Sequence, residues 1–108
     1  ITRCGGPSEM KRMATMAEAY NVQLAPHNPN GPLSTLASAH LCAAIPNFFR
    51  QEFIFNDVPW RDEIISNPIE IEKGHLVLTT RAGLGVDLIE ETMEKHPGIR
   101  SAKKGFYI

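Results

Sequence analysis

Val22-Gln23-Leu24-Ala25-Pro26-His27-Asn28-Pro29-Asn30-Gly31-Pro32 is a short apolar run that ends abruptly in a loop. Val22 to Ala25 has strand length, and Pro26 bounds it. Pro26 through Pro32 holds three prolines, two asparagines and a glycine, which excludes regular structure and leaves a shaped loop carrying His27. Upstream, Met10, Met13, Ala14, Ala17 and Tyr20 recur at spacings of three and four, predicting a helix over Pro7–Tyr20 with one buried face. Pro7 suits the first helical position, Glu9 the positive end of the dipole, and Asn21 the C-terminal stop. Downstream, a second helix is expected from near Ser34 to about Ala44, with Leu33, Leu36, Ala37, Leu41 and Ala44 on one face, ending before Pro46. Phe48 to Phe53 is the next strand. Helices alternating with short strands that lack polar alternation imply parallel βαβ units, their strands buried on both faces.

Beyond Phe53 the pattern changes. Asn56, Asp57 and Pro59 break the chain, Trp60 to Ile65 allows one or two helical turns, and Asn67-Pro68 breaks it again. Ile69-Glu70-Ile71-Glu72 then alternates, Lys73-Gly74 turns, and His75 to Thr79 returns, predicting a half-exposed antiparallel hairpin. Asp87 and Glu90 have capping-box spacing for a short helix through about Lys95, which His96-Pro97-Gly98 terminates. Ser101 to Ile108 carries no strong signal.

The chain has 108 residues, of which 43% are hydrophobic and 21% charged, values of an ordinary globular chain rather than a disordered one. A complete eight-stranded α/β barrel needs about 250 residues, so any barrel reading is a reading of part of a barrel. Ile1 is not an initiator Met and nothing near it resembles a leader, so the chain is expected to be cut from something longer. The net charge of −1 creates no field for a phosphate backbone or an anionic bilayer, and no apolar run approaches the ~20 residues of a spanning helix. Nucleic acid and membrane are therefore not expected partners. Cys4 and Cys42 lie far apart without a pairing pattern, which suits reduced packing thiols and a cytoplasmic location.

In parallel α/β architectures the loops after the strands build the site, so His27, directly after Val22–Ala25, stands where function concentrates. A fixed imidazole titrating near neutrality suits general acid or base work; a loop histidine bonding a carbonyl is the competing reading. Glu52 closes the next strand and is expected to face the same side. Among apolar neighbours such a carboxyl can stay protonated and donate to a developing oxyanion; an ion pair with Arg50 or a lysine is the alternative. His40, His75 and His96 form no metal-ligand spacing, and Gly83-Leu84-Gly85 lacks the strand and third glycine of a nucleotide-binding loop and reads as a turn. Glu90 and Glu94 read as a solvated helix face.

The stretch from Cys4-Gly5-Gly6-Pro7-Ser8-Glu9-Met10 through Ala25-Pro26-His27-Asn28-Pro29-Asn30-Gly31-Pro32, with Gln51-Glu52 one βα unit later and Gly83-Leu84-Gly85-Val86 near the end, resembles the late barrel of the mandelate racemase/muconate lactonizing enzyme branch of the enolase superfamily. Within that branch it is most similar to D-galactonate dehydratases. The resemblance covers most of the chain. It implies an α/β fold, the C-terminal portion of a modified TIM barrel with a terminal hairpin and short helix. Residues 1–54 would supply the last βα units, and residues 55–108 an irregular connection, hairpin and C-terminal helix packing back on the barrel and a capping domain.

The resemblance also implies a chemistry. His27 would act as general base or acid, partnered by an Asp expected just before Ile1. Glu52 would help stabilise the enediolate formed when a proton is lost α to a carboxylate. Mg²⁺ would carry most of that charge, on ligands expected upstream and outside this chain. A second catalytic histidine is likewise expected upstream. The Asn28 position varies among relatives and is expected to touch the sugar-acid substrate. The parent would be a homo-oligomeric hydro-lyase releasing a 2-keto-3-deoxy acid, with the fragment inactive alone. A racemase or cycloisomerase of the same superfamily, and a non-catalytic piece that folds only against a partner, are the alternatives.

Overall fold

The computed structural model describes residues 1–54 and 57–97. Helix α1 spans Pro7–Glu18. It closes as expected at Asn21, whose φ of 56° reverses the chain while Val22 N–H donates to Ala17 O at 2.9 Å and Asn21 N–H to Glu18 O at 2.8 Å. This is a Schellman closure with asparagine in the left-handed position. The predicted apolar face is only half covered. Met10 and Ala14 are buried and Ala17 is half-buried, but Met13 and Tyr20 are exposed.

Helix α2 spans Pro32–Ala43 and starts two residues before Ser34. Proline at its head loses nothing there, since the first N–H groups of a helix have no intrahelical acceptor. Its buried set is wider than one apolar face: Thr35, Ser38, Ala39 and Cys42 are enclosed with Leu36 and Leu41, whereas Ala44, expected on the buried face, is exposed. The core joins Met10 and Ala14 of α1 to Leu41 and Ile45, with Ile1, Cys4 and Leu24 against them.

Between the helices the chain pairs as predicted in direction. Leu24 and Phe48 form a parallel bridge, Leu24 N–H donates to Asn47 O, Phe49 N–H to Leu24 O, and Glu52 N–H to Pro26 O. The expectation of strands buried on both faces is not met, since Phe48 and Phe49 are 39% and 51% exposed. A parallel strand is buried twice only when layers cover both of its faces. Asn47 Nδ2 bonds both Ala14 O and Val22 O and so fixes α1 against the first strand segment.

In the second half a single 3-10 turn, Arg61–Ile64, stands where one or two helical turns were expected. The hairpin reduces to β1 (Ile71–Glu72) against β2 (His75–Leu76), antiparallel, with Val77 N–H to Glu70 O beyond it. Lys73 and Gly74, at φ of 49° and 81°, make the two-residue turn that Lys73-Gly74 predicts. Gly83-Leu84-Gly85 is a turn, as expected. The capping box at Asp87 does not form. Asp87 N–H donates to Ser66 Oγ, its carbonyl accepts from Ser66 N–H, and Ile65 and Leu88 form an antiparallel bridge, so the chain stays extended until α3 (Glu90–Lys95). The His96 ring stacks on Trp60 at 4.4 Å, tying α3 to the 3-10 turn. Gly98 and Ser101–Ile108 lie outside the described residues. No helix among the described residues is long and apolar enough to cross a membrane.

Candidate active site

His27 and Glu52 end the two parallel segments, and the register that pairs Leu24 with Phe48 brings them together. His27 Nδ1 lies 2.6 Å from Glu52 Oε2. The same Oε2 accepts the Asn28 N–H at 2.6 Å. The imidazole is 75% exposed and the carboxylate side chain 41%, so the pair faces solvent rather than the apolar surroundings expected for Glu52. The alternative partner is also displaced: the Arg50 guanidinium lies over the Phe49 ring, 4.2 Å from its centroid.

Beneath this pair the polar groups are buried. Asn28 is 1% exposed; its Nδ2 donates to Thr35 Oγ1 at 2.8 Å and to Glu52 O at 3.4 Å, and its Oδ1 accepts from Ser34 Oγ at 2.8 Å. The expectation that Asn28 touches substrate meets a side chain turned into the protein. Gln51 Nε2 donates to Thr35 O at 2.9 Å, anchoring the residue before Glu52 to the same helical turn.

Arg61, missed in the sequence, steadies the far side of the loop. It is buried, its Nη1 donates to Asn30 O at 3.0 Å, and its Nε donates to Asp57 Oδ1 at 2.6 Å, with Nη2 on Asp57 Oδ2. Hydrogen bonding from Arg61 is the main cause that holds the Asp57 carboxyl below its ordinary value. The Asp57–Arg61 spacing of four was the one available signal, and the irregular segment around it gave no reason to expect burial.

Cys42 is buried, and that burial pushes its thiol up to about 11, while Cys4 is free and half-buried, so neither is paired. His40 is half-buried on α2, His75 sits in the hairpin, and neither approaches His27 through a contact seen here. A groove of about 600 Å³ between α2 and the hairpin, lined by Cys42, Phe48, Phe49, Ile71, Leu76 and Leu78, includes neither His27 nor Glu52. Among the described residues no three His, Cys, Asp or Glu side chains converge on a metal position. Mg²⁺ demands near-octahedral oxygen ligation, and one carboxylate with an oxygen already engaged does not fit it.

A model of the family described as enolase C-terminal domain-like matches residues 1–92. A D-xylonate dehydratase from Haloferax volcanii is 32% identical over 96 residues, 89% of this chain and 23% of that protein. A D-galactonate dehydratase family member from Streptomyces bingchenggensis is 34% identical over 99 residues, 90% of this chain and 24% of that protein. The crystal structure of a mandelate racemase/muconate lactonizing enzyme-like protein from Rubrobacter xylanophilus matches with a TM-score of 0.80 and 39% identity, covering 89% of this chain and 25% of that one. The chain thus spans about a quarter of the length of the relatives it matches.

Proposed function

The chain belongs to the enolase C-terminal domain-like family, a TIM-barrel portion, and we propose that the whole protein is a sugar-acid dehydratase. In this reading the C–H bond α to the substrate carboxylate breaks to give an enediolate. The β C–O bond then breaks, the hydroxyl leaves with a proton as water, and the enol tautomerises to a 2-keto-3-deoxy acid. His27 takes or returns the α proton. Glu52 supports the charge that develops on the carboxylate oxygens.

The observation that carries the reading is the 2.6 Å approach of His27 Nδ1 to Glu52 Oε2 at the ends of adjacent parallel segments. Nδ1 is occupied by that contact, which leaves Nε2 as the nitrogen for substrate. Superfamily members bind Mg²⁺, which in them supplies Lewis-acid stabilisation of an enediolate. The described residues make no such site, so any ion would be held by other residues of the whole protein. We assign residues 1–54 to the last βα units and residues 55–108 to the return across barrel and capping domain. Unpaired Cys4 and Cys42 support a reducing, cytoplasmic setting.

The test is release of a keto acid by the whole protein, with Mg²⁺, from a panel of aldonates that includes galactonate and xylonate. No product from any of them sinks dehydration. The likeness to a mandelate racemase/muconate lactonizing enzyme-like protein favours a second reading, racemisation or cycloisomerisation. Deuterium exchange at the α carbon without loss of water would select it. The 108-residue chain alone, without a metal site among its described residues, is expected to release no keto acid.

A further inference from the structure

Of the three groups gathered at the site, His27 and Glu52 are exposed and Asn28 is not. We infer that Asn28 is a positioning residue that holds Glu52 and the His27 loop in place, and that it makes no contact with substrate. This rests on the acid–base roles proposed above for His27 and Glu52. Each bond the Asn28 side chain makes ends on the protein, and together they tie the loop that carries Asn28 to the two elements beside it: the first turn of α2 through Ser34 and Thr35, and the strand end through Glu52 O.

Thr35, also 1% exposed, completes a ring. Its Oγ1 receives Asn28 Nδ2 and donates to Gly31 O at 3.2 Å, and its carbonyl receives Gln51 Nε2. Gln51 and Glu52, consecutive in the chain, are therefore both tied to Thr35, one directly and one through Asn28. With its side chain fixed, the Asn28 N–H is a stationary donor, and Glu52 Oε2 rests on it at 2.6 Å while meeting His27 Nδ1. Buried amides and hydroxyls keep such geometry because any other arrangement leaves them unpaired. A shift of the reacting groups by ~1 Å costs on the order of 10²-fold in rate, so a loosened ring is expected to appear in turnover and not in binding.

The experiment uses the whole protein. Asn28→Ala is expected to lower kcat by about tenfold to a hundredfold with KM changed less than about threefold. Thr35→Val, which removes the buried hydroxyl at nearly constant volume and has no access to substrate, is expected to show the same split, and Thr35→Ser, which keeps the hydroxyl, to restore kcat. The double variant Asn28→Ala/Thr35→Val should lose less than the product of the two single losses, because both break one ring. A rise in KM at unchanged kcat for Asn28→Ala, with Thr35→Val silent, makes Asn28 a substrate contact and overturns the inference. Should the wild type show no acid–base activity, the proposed function falls and the ring is still read by the ¹⁵N resonances of the His27 imidazole in the resting protein. Those resonances should move in Asn28→Ala and Thr35→Val and stay in Thr35→Ser; resonances unmoved in all three overturn the positioning role.

Discussion

Residues 22–54 and 57–97 are held together by different means. In the first region side chains from distant parts of the sequence bond one another or reach across to backbone: Asn28 to Thr35 and Glu52, Gln51 to Thr35, Asn47 to Ala14. In the second, short elements hang on turn chemistry, backbone bonds and a few side-chain contacts nearer the surface, with Lys73-Gly74 reversing the hairpin, Gly83 and Gly85 turning at positive φ, Ser66 pairing with Asp87, and His96 stacked on Trp60. A region fixed by buried polar side chains can hold two exposed groups at a defined separation; a region fixed by turns holds mainly its own path. The candidate chemistry sits in the first. Arg61 is the seam, bonded to Asp57 on one side and to Asn30 O on the other.

The largest effect should come from the exposed histidine. His27→Asn in the whole protein is expected to lower kcat by about 10²- to 10⁴-fold, the usual contribution of a general acid or base, while Tm stays near wild type because the ring is mostly in solvent. Steady-state kinetics beside calorimetry decide this, and a variant that unfolds with full activity in its folded fraction would move His27 out of the chemistry.

Next in size is Gly85. An added Cβ would stand 2.0 Å from Thr79 Cγ2 at a φ of +80°, so Gly85→Ala is expected to destabilise by about 2–4 kcal/mol, combining overpacking with backbone strain. Gly83→Ala, at φ +63° with open space around it, should cost only about 1 kcal/mol of backbone strain. Equal losses in urea melts would show that φ alone, not the Thr79 contact, shapes the second region.

Arg61→Met should be milder, about 1–3 kcal/mol, from leaving Asn30 O and Asp57 without their donor. A pH series sharpens it. Asp57 has a lowered carboxyl in the folded chain, so its stabilisation is present above the ordinary carboxylate value near ~3.9 and is lost as pH falls through the lowered folded value. Asp57→Asn should accordingly be less stable than wild type at neutral pH, and the difference should close in acid. A gap that persists at low pH would assign the effect to packing instead of charge.

Much of this was legible in order along the chain, because it depends on local chemistry. Asn21 stops α1, Lys73-Gly74 turns, and His27 and Glu52 end successive strand segments. What misled was local pattern acting without a partner. Asp87 and Glu90 had capping spacing, yet Ser66 captured the Asp87 backbone and delayed the helix to Glu90. Met13 and Tyr20 had the period of a buried face, yet period says which residues share a face and not how far a neighbour covers it. The resemblance marked Asn28 as a loop residue expected to touch substrate, whereas in the packed chain its side chain is 1% exposed and turned inward.

The sequence by itself determined the alternation of helix and strand segment, the shaped proline loop, the positions of its turns, and the placing of His27 and Glu52 at strand ends, since each follows from backbone preference and spacing over a few residues. Only the tertiary structure decided that these two meet at 2.6 Å, that Asn28 and Thr35 lie beneath them, and that Arg61 is buried on the Asn30 carbonyl. Those facts depend on the register of one parallel bridge and on which polar groups lose access to water, and neither quantity exists until the segments have packed.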